Sequence, residues 1–78
     1  MKYRATITET INGSTSTWTD TFCRHEDAMA WGRVCADYFI EEHSEELLDG
    51  CESANHITIQ DKEEGARLLF DFHVEEID

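Results

Sequence analysis

Seventy-eight residues with 18 acids against 6 bases, a formal charge of −12, bound what this chain can be. That length supports one domain with a core near the lower limit of sufficiency, so residues 1–78 read as a single domain. The charge repels phosphate backbones and anionic lipid, which excludes direct nucleic-acid or membrane binding and makes a basic protein the natural partner.

An apolar fraction of 40%, including four Phe, two Trp and two Tyr, points to a folded chain. No N-terminal apolar run resembles a signal peptide, and no stretch approaches the ~20 apolar residues of a membrane span. Three cysteines, an odd number without a secretory signal, read as free thiols in a reducing compartment. The expected location is the cytoplasm.

Residues 2 to 11 alternate, with Tyr3, Ala5, Ile7 and Ile11 on one side and Lys2, Arg4, Thr6, Thr8 and Thr10 on the other. Asn12-Gly13 follows, the strongest short signal for a two-residue type I′ hairpin. That turn predicts the pairs Tyr3–Phe22, Ile7–Trp18, Thr6–Thr19, Thr8–Thr17 and Arg4–Thr21, with aromatics on one face and threonines on the other.

From His25 the period changes. Ala28, Trp31, Gly32, Cys35 and Phe39 recur at three- and four-residue intervals, the spacing of one helical face. Val34 and Tyr38 are expected to widen this stripe on one flank, Met29 and Ala36 on the other. Glu26 and Asp27 suit the exposed amides of a first turn. Gly32 lies on the stripe, where it would let the helix approach a partner element closely. The period fades near Glu42; Ser44 is expected to cap a short second turn, with Gly50 as its stop.

Two further strands follow. Ile57 and Ile59 alternate with Thr58 and Gln60, and the loop DKEEG offers Gly65 for a positive φ. Leu68, Phe70, Phe72 and Val74 then alternate with Arg67, Asp71, His73 and Glu75, with Leu69 breaking the polar side. The predicted fold is α+β in the order β-β-α-β-β. It is a four-stranded, antiparallel-rich sheet with one main helix on its apolar face.

Catalytic and metal signatures are weak. Cys23, Cys35 and Cys51 with His25, His43, His56 and His73 form neither a CxxC pair nor a zinc-finger spacing. Cys23 and His25 stand two apart at a strand-to-helix junction, yet Glu26 and Asp27 oppose any lowering of the thiol pKa. The outward sheet face offers threonines where a single-strand RNA platform needs aromatics. No cofactor, metal or catalytic residue is assigned, and the chain reads as a non-enzyme.

What remains is an acidic run: Glu41, Glu42, Glu45, Glu46, Asp49 and Glu52, with no Lys or Arg among them. On a helix, carboxylates three or four residues apart hold Cβ atoms ~5–6 Å apart, comparable to phosphates along one strand. Such a ladder would present an anionic track to a cationic groove, and Asp61, Glu63 and Glu64 could extend it. Tyr38 or Ile40 would supply an apolar anchor.

The hairpin ITETINGSTSTW, the helix start EDAMAWGRV and the acidic run EEHSEELLDGCE together resemble, in size, charge and architecture, the small acidic anti-CRISPR proteins of phages. The resemblance implies a non-enzymatic inhibitor, acting in the host cytoplasm, that binds a basic surface of a CRISPR effector and takes the place of DNA or guide RNA. It points to a subunit of a type I effector, whose target-strand groove is basic. The contrasting expectation is a cytoplasmic assembly module, or an antitoxin-like neutraliser, that dimerises through a sheet edge or the threonine face. Monomer and homodimer both remain open at this stage.

Overall fold

The computed structural model describes residues 1–45, 48–62 and 67–77. Strands β1 (Lys2–Ile11) and β2 (Ser14–Phe22) lead into helix α1 (His25–Glu42), followed by β3 (Leu48–Glu52), β4 (His56–Asp61) and β5 (Leu68–Ile77). The sheet order is β2-β1-β5-β4-β3, with every neighbouring pair antiparallel. The α+β class and the single main helix agree with the sequence reading. The sheet has five strands, not four.

The first hairpin closes as its turn dictates. Asn12 (φ 51°) and Gly13 (φ 88°) both take the left-handed conformation that a type I′ turn requires. The register pairs Tyr3 with Phe22, Thr6 with Thr19 and Ile7 with Trp18, as predicted. The turn is tied to β5's entry, where the Asn12 N–H donates to the Arg67 carbonyl (2.8 Å). Residues 63–66, Gly65 among them, lie outside the described residues.

β3 is the correction. Residues 48–50, read as the end of a capped helical turn, instead begin a strand that pairs with β4 from Leu48–Asp61 to Glu52–Ile57. Gly50 is a strand residue opposite Ile59 and stops no helix; residues 43–45 form a turn. β4 explains why. Its Ile57 and Ile59 are buried, and one side of its backbone is paired to β5. A strand on the other side satisfies the remaining N–H and C=O groups, which a helical turn would leave to solvent.

Two rows across the sheet receive the helix: Trp18–Ile7–Phe72–Ile57–Glu52 and Ser16–Glu9–Phe70–Ile59–Gly50. Phe39 stacks on Phe70 (ring centroids 5.5 Å), and Trp31 bridges Phe22 and Phe72 (5.6 and 6.2 Å). Ala28, Met29, Gly32, Ala36 and Phe39 are the buried helix residues. The other flank departs from expectation: Val34 and Tyr38 are 54% and 65% exposed. They lie roughly a quarter-turn or more from the stripe's centre. The α1 side that the sheet does cover is the Met29–Ala36 side. No side chain caps α1 at Arg24, and its last turn holds no base, so packing stabilises it more than its ends do.

The opposite sheet face is open. Its β2 side carries Thr6, Thr8 and Thr10 of β1 against Thr19, Thr17 and Thr15 of β2. The Thr10 and Thr15 hydroxyls meet at 3.1 Å and those of Thr8 and Thr17 at 3.4 Å. Arg4 pairs with Glu75 there (3.1 Å).

Candidate functional site: the acidic end

The sheet rows place the acidic residues. Asp49 shares a row with Gln60, Leu69, Thr10 and Thr15, near the end where β4 finishes at Asp61. α1 runs toward the same end, since Phe39 sits on Phe70 and His43 packs on Phe39 at 4.8 Å. Glu41, Glu42, Glu45, Asp49 and Asp61 therefore gather at one end of the molecule from four separate segments. Glu52 lies elsewhere, in the row of Ile57 and Phe72, where it pairs with Arg33 of α1 at 3.1 Å. Glu46, Glu63 and Glu64 lie outside the described residues.

The helical ladder is not formed. Glu41 and Glu42 end α1 and Glu45 stands in a turn. Asp49 lies on the open sheet face, whereas Glu52 lies on the helix face, as strand alternation demands. Asp61 is 7% exposed and turned inward, so it adds to the local field and not to a contact surface. The arrangement is an acidic cap on one end, not a track.

Sequence reading missed Glu9. It occupies an inward position of β1 between Ile7 and Ile11, in the row of Phe70. Burial, and after it the neighbouring Glu42, hold its carboxyl above the ordinary value, with His43 acting the other way. The signal was available: an acid on the apolar side of an otherwise strict alternation. Burial and then Glu9 also push the half-buried Cys35 thiol up, the opposite of what a nucleophile needs. His43 Nε2 is buried and, among the described residues, has no hydrogen-bond partner.

Three of the histidines singled out from the sequence have polar partners. His25 Nε2 donates to Asn55 Oδ1 (2.6 Å), joining the start of α1 to the β3–β4 turn. On the open face His56 Nε2 donates to Asp71 Oδ1 (2.6 Å), with His73 Nδ1 3.8 Å from the other carboxylate oxygen. All three cysteines are free. Among the described residues, no group of three or more His, Cys, Asp or Glu is placed to hold a metal, and no helix is long and apolar enough to cross a membrane.

The distribution of charge is the distinctive feature. Residues 1–23 hold two bases and two acids; the remaining 55 hold four bases and 16 acids. Of those four, Arg24 is paired with Glu26 and Arg33 with Glu52. In the sheet order β2-β1-β5-β4-β3, the neutral hairpin is one lateral side and the acidic strands are the other. On the outer surface of α1, Val34 and Tyr38 stand one turn apart, flanked by Asp37 and Glu41. No known protein family, characterised protein or solved structure matches the chain.

Proposed function

We propose that the chain is a non-enzymatic binding protein whose acidic side and end occupy a cationic, nucleic-acid-binding surface of another protein and block it. The observation that carries this reading is the segregation of charge, with the entire −12 borne by residues 24–78. A one-sided field steers encounter with a basic surface and orients it, while Tyr38 and Val34 offer the apolar anchor that charge alone lacks. The resemblance to acidic anti-CRISPR proteins narrows the partner to a CRISPR effector, with a type I target-strand groove as the first candidate.

The test is a gel-shift titration of a type I effector on its target DNA. Inhibition is expected to weaken with salt. It is also expected to be lost when Glu41, Glu42 and Glu45 are changed together to Lys, with the circular dichroism unchanged. Equal inhibition by the triple variant would overturn the acidic-mask reading. No inhibition by the wild type would remove the type I effector as partner.

A further inference from the structure

The two outer strands of the sheet differ in a way that bears on self-association. β3 is a short edge, Leu48–Glu52, carrying Asp49 and Glu52. β2 is a long one, Ser14–Phe22, with no proline, no lysine and one acid, Asp20. All its residues but Phe22 are exposed. Its register against β1 is unbroken, so no bulge turns it away. An unbroken edge of this length with a single charge is the kind that natural proteins ordinarily protect.

Hydrogen-bond phase shows which groups are free. In a two-residue hairpin the pair flanking the turn, here Ile11–Ser14, exchanges hydrogen bonds, and the pattern then alternates. Ser16, Trp18 and Asp20 therefore bond inward to β1, while Thr15, Thr17, Thr19 and Thr21 direct N–H and C=O outward. The Thr21 N–H agrees, bonding the Asp20 carboxylate at 2.8 Å.

We propose that β2 is an interface in which two copies of this chain pair antiparallel about a two-fold axis at Trp18, merging two sheets into one. In that register Thr17 meets the partner's Thr19 as a hydrogen-bonded pair, and Thr15 meets the partner's Thr21. The outward phase of the backbone is thus satisfied from both sides, with the Thr21 N–H exchanging the Asp20 carboxylate for the partner's Thr15 carbonyl. The threonine ladders of the open face continue across the joint, and Ser16 falls opposite Asp20 with no like-charge contact. On the helix side Trp18, 40% exposed, meets its own copy. A second copy is the occupant because β2 belongs to the neutral segment, residues 1–23, and faces away from the acidic strands. Two such anions can meet there with the least repulsion, whereas a basic partner is drawn to the opposite side.

Sedimentation equilibrium of the full chain across the micromolar range tests this. Association is expected to strengthen with added salt, the reverse of the salt dependence of binding a basic partner, so the two proposals fail separately. Thr17→Pro with Thr19→Pro removes two outward N–H groups and no inward one, and is expected to give a monomer with unchanged strand circular dichroism. Should that variant not fold, hydrogen exchange on the wild type decides. Thr17 and Thr19 amides should gain about tenfold protection from dilute to concentrated protein while Asp49 and Cys51 do not change. A monomeric wild type, a dimeric proline variant, or concentration-independent exchange at Thr17 and Thr19 would each overturn the proposal.

Discussion

Replacing Gly32 by alanine sets two known magnitudes against each other. In an exposed helix interior, Gly→Ala stabilises by about 1 kcal/mol. Gly32 is buried, however, and a Cβ there would fall 2.4 Å from Cε2 and Cζ of Phe72. Ordinary carbon contacts lie near ~3.5–4.0 Å, so α1 or the ring must move by about 1 Å. Phe72 has no room to yield: it is fully buried, Ile7 and Ile57 flank it in its row, and Trp31 meets it edge-on. Overpacking of this kind costs about 1–3 kcal/mol, which exceeds the propensity gain over most of its range. Gly32→Ala is therefore expected to lower stability by up to about 2 kcal/mol, read as the urea midpoint at constant slope. In a Phe72→Leu background the clash is relieved, and the same substitution should become neutral or stabilising, a coupling of about 1 kcal/mol or more. If Gly32→Ala raises the midpoint by the full helical increment in both backgrounds, the close approach of α1 to β5 is not what Gly32 provides.

Glu9→Gln tests the half-buried, inward-facing acid beside the acidic cap. Its folded carboxyl titrates above the ordinary value of 4.5, so the folded state holds the proton more tightly than the unfolded one. Stability from this group is complete below 4.5 and is lost as pH rises through the raised folded value. The variant should accordingly be more stable than wild type at neutral pH and equal to it in acid, by thermal unfolding across pH. Gly13→Ala should cost about 1–2 kcal/mol in chemical denaturation, because Gly13 holds a left-handed φ that a Cβ disfavours.

The legible parts of this fold were those governed by a single local rule. Asn12-Gly13 imposes one turn type, and with it a register correct across the hairpin. The alternation of β5, from Leu68 to Val74, likewise shows its inward face directly. β3 was hidden because Leu48–Glu52 has neither a β-branched run nor a clear period, and becomes a strand only because β4 has an edge to fill. The flanks of α1 were ambiguous for a related reason. Periodicity locates the centre of an apolar stripe, but the sheet beneath decides whether Met29 or Tyr38 is covered. The acidic run misled through its spacing. Glu41, Glu45 and Asp49 are four apart, which suggests a ladder only while the helix lasts, and α1 ends at Glu42.

That ending changes what kind of binding the acids can support. Carboxylates on one helix could be matched one by one to a row of basic side chains, and each would contribute separately. Acids delivered by a helix end, a turn and a strand, backed by the inward Glu9 and Asp61, act through their summed field. A field of this kind sets approach and orientation, while the contact energy must come from a group that can be desolvated at moderate cost. Val34, Tyr38 and Ile40 are the exposed large apolar side chains of α1, and Tyr38 and Ile40 stand beside the acids that end it. Pairing through β2 would place two acidic sides at opposite ends of one continuous sheet. Both could then engage a repeated cationic surface, with avidity set by a rigid spacing and no flexible linker.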